Sequence, residues 1–233
     1  MNNQNGHFHP ITCFMRESLK YFTDLGFSIY EGNDIESEWY NFDALNVPAQ
    51  HPSRDMQDTF WIESNDHMVL RTHTTGTESH IVNNLHLQPP FRIVVPGRIY
   101  RNERTDISHE HTFNQIDGIV VDTDVNIRHL VGILSGWMKS IFGNKITIRI
   151  QPSYFPFVEP ALEMHAKLPD GKWREMLGAG MAHPTVLKNM GIDPQKWQAI
   201  MWGPGIDRYT MLKYNINDIR KFNSQDLRFI KQF

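Results

Sequence analysis

The chain has one cysteine, Cys13, in 233 residues. That excludes an intramolecular disulfide and any cysteine-rich zinc site, and it fits a reduced, cytoplasmic setting. No apolar run approaches the roughly 20 residues a membrane helix needs, so no membrane partner is expected. The first residues, Met1-Asn-Asn-Gln-Asn-Gly-His7, lack the apolar stretch of a signal peptide. Positive charge is not in excess. Lys and Arg number 23 against 26 Asp and Glu, a formal net charge of −3. This argues against a broad basic nucleic-acid surface, while a local groove or a partner could still supply one. Repeats, low-complexity segments and obvious linkers are missing as well. So are the lysine and glycine spacings of phosphate-binding and dinucleotide loops, and the nucleophile elbow of serine hydrolases.

What remains is a chain with 40% hydrophobic and 21% charged residues, suited to one globular domain with a sizeable core. Ile11, Phe14, Met15, Leu19, Phe22 and Leu25 recur at helical spacing from Pro10 to Phe27, with Gly26 as a stop. Phe27 to Tyr30 reads as a short strand, and residues 31–60 as a structured connection with helical turns around Tyr40 to Leu45. A strand begins at Met68, and a helix is expected over Ser79 to Leu85. A hairpin spans Phe91 to Asp122, followed by a helix from Asn126 to Phe142 that stops at Gly143. Strands are expected at Lys145–Gln151, Trp173–Leu177 and Ala199–Trp202, with helices at Pro184–Met190 and Ile206–Tyr214. Hairpins in the middle and helices at the ends indicate an α+β fold with a mostly antiparallel sheet.

The chemistry concentrates in three places. Arg101 and Glu103 end the first hairpin strand, and Phe113, Gln115 and Asp117 alternate onto one face of the second. A planar guanidinium there suits a phosphate oxygen. Gly203-Pro-Gly-Ile-Asp-Arg208 joins a strand to a helix; its glycines allow close backbone approach, and Arg208 falls in the first helical turn. Phe155, Phe157 and Glu159 follow the Lys145 strand, and alternation puts them on one face. Twelve histidines invite a metal reading, but the spacing of His109 and His111 about Glu110 is not that of a metalloprotease helix, and His51, His67, His86, His111 and His129 read as surface or loop residues.

The Arg101 hairpin resembles motif 2 of class II aminoacyl-tRNA synthetases, and Gly203 to Arg208 resembles motif 3. Ser153-Tyr-Phe-Pro-Phe157-Val-Glu159-Pro160 resembles a signature of the phenylalanine–tRNA ligase α-subunit family within that class. Further similarity lies at Gly6–Pro10, Tyr40–Asn46, His51–Asp55, Asp58–Phe60, Leu70–Thr74, Gly178–Met181, Met211–Tyr214 and the final Gln232-Phe233. The resemblance implies a single catalytic domain over residues 1–233, with an antiparallel sheet flanked by helices. It also implies ATP-dependent amino-acid activation and transfer to tRNA. Its first helix and strand would be motif 1, which builds an oligomer interface with a β subunit or a second copy. The N-terminal coiled-coil arm of the family is expected to be absent.

Carried over by position, the resemblance implies that Arg101 holds the α-phosphate, Glu103 helps place adenine and His109 sits on the phosphate side. Phe113 would stack on adenine, and Arg208 would clamp the nucleotide from the opposite face. His73, Thr75, Glu78, Gln115 and Asp117 would surround the backbone groups of the amino acid, with Phe155, Phe157 and Met201 along its side chain. Glu159 would hold Mg2+, shared with a β subunit. The chain departs from the family pattern at the amino-acid end. The family has serine and proline where Thr75 and Gly76 stand, glutamine at Glu78, glutamate at Asp117, arginine at Gln151 and alanine at Met201. Two other readings follow: a stand-alone paralogue that activates a different amino acid for a carrier, peptide or small molecule, and a non-catalytic regulatory subunit.

Overall fold

The computed structural model describes residues 6, 8–50, 59–63, 67–107, 109–168 and 170–233. The expected similarities at His51–Asp55 and Asp58 lie outside these residues, as do His7 and Ser108. Helix α1 (Pro10–Asp24) starts with Pro10 in its first turn and the His9 side chain accepting from the Ile11 N–H. It buries Phe14, Ser18 and Phe22, four residues apart on one face, and gives way at Gly26 (φ +80°). Strands β1 (Ser28–Ile29) and β2 (Ile35–Ser37) follow, then α2 (Glu38–Asn41), a 3-10 turn, and β3 (Met68–Leu70). Helix α3 (Thr75–Asn84) leads into β4 (Phe91–Tyr100) and β5 (Thr112–Asp122), and α4 (Ile127–Phe142) into β6 (Thr147–Phe155), β7 (Val158–Lys167) and β8 (Trp173–Ala182). The chain ends with α5 (Pro184–Asn189), β9 (Gln198–Trp202), α6 (Ile206–Tyr214), a second 3-10 turn and α7 (Leu227–Ile230).

Seven strands form one sheet in the order β1-β4-β5-β9-β8-β7-β6. Only the β1–β4 pair is parallel; the other pairs run antiparallel. Strands β2 and β3 make a separate antiparallel pair. Side-chain alternation divides the sheet into two buried faces. Val94, Ile116 and Val120 pack with Phe14 and Phe22 of α1 and Leu130, Leu134 and Trp137 of α4. Ile93, Val95, Ile119 and Val121 pack with Ile81 and Val82 of α3 and Val186 and Leu187 of α5. Trp202 stacks on Phe22 at 5.7 Å between ring centroids. A Cβ at Gly118 would come within 2.2 Å of the Trp202 ring, so that close approach requires glycine.

The structure corrects several sequence expectations. Strand β7 was not expected: Val-Glu-Pro-Ala-Leu-Glu-Met-His-Ala-Lys is rich in helix-forming residues, and pairing with β6 and β8 on both sides overrides that preference. Strand β8 continues through Gly178-Ala-Gly180 to Ala182, a stretch whose glycines read locally as a strand end. Helix α3 begins at Thr75, a turn earlier than expected. Phe155 ends β6 while Phe157 lies in the connecting turn and Glu159 is on β7. The expected common strand face for these three is therefore broken by a turn.

Candidate active site

A cavity of about 570 Å³ lies against the β5, β8 and β9 part of the sheet and the start of α6. Arg101, Glu103, His109, Phe113, Gln115, Phe155 and Arg208 all line it. The β4–β5 ladder pairs Ile99 with Phe113 and Gly97 with Gln115, which sets Phe113, Gln115 and Asp117 on one side. The ladder extends by one bond beyond the strand ends, from Arg101 N–H to the His111 carbonyl at 2.9 Å. Arg101 Nε donates to the Thr72 carbonyl at 3.0 Å. Its Nη1 lies 3.9 Å from Glu103 Oε1, and its guanidinium carbon is 5.1 Å from the Phe113 ring centroid. Burial draws the Arg101 pKa down, opposed by Glu103 and Asp117. His109 sits on the loop, its backbone N–H and its ring both paired with Asp106.

The opposite wall is the β9–α6 connection. Gly205 bridges to Gln115, and Ile116 N–H donates to the Pro204 carbonyl at 3.3 Å. Buried Asp207 accepts the Asn114 backbone N–H at 2.7 Å and its side-chain amide at 3.1 Å. Burial pushes the Asp207 pKa up to about 6, against the pull of those donors. This clasp fixes the first turn of α6, and the next residue, Arg208, is exposed on the cavity wall. Sequence reasoning did not single out Asp207. Its partner is 93 residues away, and the only local signal was its place beside Arg208 in the glycine motif.

Beneath the cavity lies a buried polar layer. The Thr74 N–H donates to Gln115 Oε1 at 3.3 Å, and the Gly76 N–H to His73 Nδ1 at 3.2 Å. Thr75 Oγ1 donates to Asp117 Oδ2 at 2.5 Å. His73 is held neutral, its pKa brought down to about 3 by burial and then by the nearby Arg101 charge. Burial lifts Asp117 to about 6. Glu78 is raised well above the carboxylate range, by burial first and Asp117 second. His73, Thr75, Glu78 and Asp117 thus come together as expected, but below the open cavity rather than on its wall.

Arg71 was given no role of its own from the sequence, lying only at a strand and in the Leu70–Thr74 similarity. It is 3% exposed and donates to the carbonyls of Arg98 and Gly32 and to Asp34. A Cβ at Gly97 would lie 2.2 Å from its Nη2. The available signal was an arginine directly after an apolar strand, with glycines elsewhere leaving room for it.

Phe155 covers Gly178, where a Cβ would come within 2.5 Å of its ring, and it stacks against Phe157 at 5.8 Å. Phe157 and Met201 do not line the cavity. Met201 is 1% exposed, in register with Ile119 and Gly180, and belongs to the apolar core against which Phe155 and Phe157 pack. Glu159 stands apart from the cavity, its side chain 79% exposed and 3.9 Å from His183 Nε2. No cluster of three or more His, Cys, Asp or Glu suited to a metal occurs among the described residues. The described residues therefore do not by themselves gather a metal site. Among the described residues no helix is long and apolar enough to cross a membrane.

The family model for the tRNA synthetase class II core domain (F) matches residues 1–233. The phenylalanine–tRNA ligase alpha subunit of Aeromonas hydrophila is 45% identical over 230 residues, 99% of this chain and 69% of the relative. That of Actinobacillus pleuropneumoniae is 44% identical over 228 residues, 98% of this chain and 68% of the relative. In fold, the chain matches the crystal structure of pyrrolysyl-tRNA synthetase from Desulfitobacterium hafniense with a TM-score of 0.73 at 15% identity, covering 95% of this chain and 75% of that one. The chain belongs to the class II tRNA synthetase core-domain family and, within it, to the relatives of phenylalanine–tRNA ligase alpha subunits.

Proposed function

We propose that the chain activates an amino acid with ATP and passes the activated acyl group to tRNA, as an alpha-type subunit of a phenylalanine–tRNA ligase. The observation that carries this is the meeting of Arg101, Phe113 and Arg208 around one cavity, on elements fixed to each other by Asp207. The substrate carboxylate attacks the α-phosphorus of ATP in line. An aminoacyl-adenylate forms, pyrophosphate leaves, and no covalent enzyme intermediate is needed. Arg101 meets the charge that builds on the α-phosphate, Phe113 stacks on adenine with Glu103 at its edge, and His109 and Arg208 face the remaining phosphates. His73, Thr75, Glu78, Gln115 and Asp117 hold the amino and carboxylate ends of the amino acid, with Phe155 and Phe157 towards its side chain. Magnesium would come with the nucleotide or be held through Glu159 at a site completed by another chain, where it would offset charge on the phosphates. The partner is a β subunit or a second copy, docked through α1 and β1, in the cytoplasm, and the described domain acts as one catalytic unit.

Met201 favours a second reading, a paralogue that activates another amino acid for a carrier, peptide or small molecule. Its buried thioether closes the sheet face behind Phe155. ATP–pyrophosphate exchange across the amino acids tests both readings. Exchange with phenylalanine supports the first, and exchange with a different amino acid the second. No exchange and no ATP binding would leave the regulatory-subunit reading.

A further inference from the structure

The stretch Tyr40–Asn46 carries family similarity, yet the proposed reaction gives it no task. Asn41, the last residue of α2, is 0% exposed, and its side-chain amide is paired both ways with one residue. Its Nδ2 donates to Thr72 Oγ1 at 3.0 Å, and its Oδ1 accepts the Thr72 N–H at 3.1 Å. Thr72 follows β3 in a buried segment outside any strand, where its backbone needs a partner that no ladder provides. A primary amide offers a donor and an acceptor side by side, as a neighbouring strand would. Asn41 thus holds Thr72 at its N–H and its hydroxyl, and the Thr72 carbonyl receives Arg101 Nε at 3.0 Å.

The same stretch grips the site elsewhere. The Asn41 backbone bonds the His73 ring. A Cβ at Gly76 would come within 2.5 Å of the Tyr40 carbonyl, so the first turn of α3 rests on α2. Asn46 takes φ +61°, a left-handed conformation that asparagine tolerates, and its Nδ2 donates to the Pro156 carbonyl at 2.8 Å. Pro156 lies in the turn between Phe155 and Phe157. Between the two grips, Phe42, Ala44 and Leu45 are buried, and Asn189 of α5 donates to the Asp43 and Ala44 carbonyls.

We infer that Asn41 and Asn46 are positioning residues, which set Arg101 and the Phe155 turn in register with each other from one packed segment. Neither asparagine lines the cavity; each acts through the residue it holds. Asn41 fixes the direction of the Thr72 carbonyl and so the plane of the Arg101 guanidinium. Asn46 fixes the turn and so the ring of Phe155, which does line the cavity. The segment between them is anchored in close-packed core, so the spacing of the two grips resists deformation. The kinetic consequences rest on the activation reaction proposed above; the hold on Arg101 does not.

The test uses the full chain carrying 15N at arginine Nε, with the Arg101 signal assigned by Arg101→Lys. In the parent the Arg101 Nε–H is protected from hydrogen exchange by the Thr72 carbonyl. Asn41→Ala and the isosteric Thr72→Val each speed that hydrogen exchange by about 5- to 10-fold, the loss of one hydrogen bond, whereas Thr72→Ser, which keeps the hydroxyl, does not. In phenylalanine-dependent ATP–pyrophosphate exchange, Asn41→Ala lowers kcat by about 10- to 100-fold, as an ångström-scale misplacement does, with KM for ATP nearly unchanged. The loss vanishes in the Arg101→Ala background, where no guanidinium remains to be aimed. Asn46→Gly keeps the left-handed backbone and deletes the amide; it raises KM for phenylalanine by about tenfold and leaves KM for ATP alone. An Arg101 Nε–H indifferent to both Asn41→Ala and Thr72→Val would overturn the inference. So would full additivity of Asn41→Ala with Arg101→Ala, or parental kinetics in Asn46→Gly. Should Asn41→Ala fail to fold, Thr72→Val carries the same comparisons. The Nε–H readout needs no substrate. A chain that shows it but never forms an adenylate would therefore refute the proposed activity and leave the positioning of Arg101 standing.

Discussion

The guanidinium carbon of Arg101 lies 5.1 Å from the centroid of the Phe113 ring, across the open end of the β4–β5 hairpin. Three groups fix the arginine: the His111 carbonyl through its backbone, the Thr72 carbonyl through Nε, and Glu103 through Nη1. A cation so placed needs little reorganisation to meet charge developing on a phosphate, and such preorganisation is where most charge stabilisation in active sites originates.

Arg101→Ala is therefore expected to lower ATP–pyrophosphate exchange by at least ~100-fold, since loss of one charge-stabilising contact raises a barrier by about 3 kcal/mol. Arg101→Lys recovers only part of the rate, because an ammonium lacks the planar fork. Steady-state exchange rates check this. A mutant within about twofold of the parent would remove Arg101 from the chemistry.

Asp207 links the two walls through Asn114, so Asp207→Ala orphans a backbone N–H and loosens the α6 turn that carries Arg208. The expected outcome is a loss of about 1–3 kcal/mol in stability, with KM for ATP rising more than kcat falls. Chemical denaturation and exchange kinetics read the two effects. Unchanged stability with unchanged KM would show that the clasp positions nothing.

The buried carboxylates make stability depend on pH. Asp117 has its folded-state pKa raised to about 6, and burial raises Glu78 well above the ordinary carboxylate value. An acid with a raised folded pKa contributes stability that is fully present below its unfolded pKa and is lost as pH rises through the folded value. Stability from this pair should therefore decline from about pH 4 upward. Glu78→Gln replaces an acid whose ionisation is costly in this site with a neutral amide that can donate towards Asp117. It should stabilise the chain by about 1–3 kcal/mol at pH 8, with the gain shrinking at pH 5. Denaturation curves at the two pH values decide it, and a gain that grows on acidification would contradict the sign.

Much of the cavity wall was legible in the sequence. Arg101, Glu103, Phe113 and Gln115 lie within one hairpin, where strand alternation alone sorts side chains onto faces. Arg208, placed in the first helical turn after the glycine motif, and Phe155, placed by alternation, line the same cavity. What was not legible depends on distant contacts. The burial of Glu78 against Asp117 joins α3 to β5, Arg71 knits three segments, and Asp207 meets a strand 93 residues earlier. Strand β7 escaped because its composition favours helix and only its neighbours make it a strand. Glu159 was grouped with Phe155 by simple alternation, which the turn at Pro156-Phe157 interrupts.

Met201 is off the cavity wall, in the core against which Phe155 packs, so it would act on the amino-acid end only through Phe155. Its removal in Met201→Ala should cost about 2–5 kcal/mol of stability through the cavity left behind. The same space should admit a larger substrate side chain and shift selectivity towards phenylalanine by roughly 5- to 150-fold, the equivalent of relieving about 1–3 kcal/mol of overpacking. Exchange rates for phenylalanine and for a smaller amino acid, measured on both proteins, check this. Efficient phenylalanine-dependent exchange by the parent, unchanged in the mutant, would mean that Met201 does not bound the side-chain site.

The most direct test of the whole account is ATP–pyrophosphate exchange by the purified chain against each of the standard amino acids, with and without a candidate β subunit. Phenylalanine-dependent exchange is predicted, cut at least ~100-fold by Arg101→Ala. Exchange absent under every condition, with no binding of ATP, would contradict it.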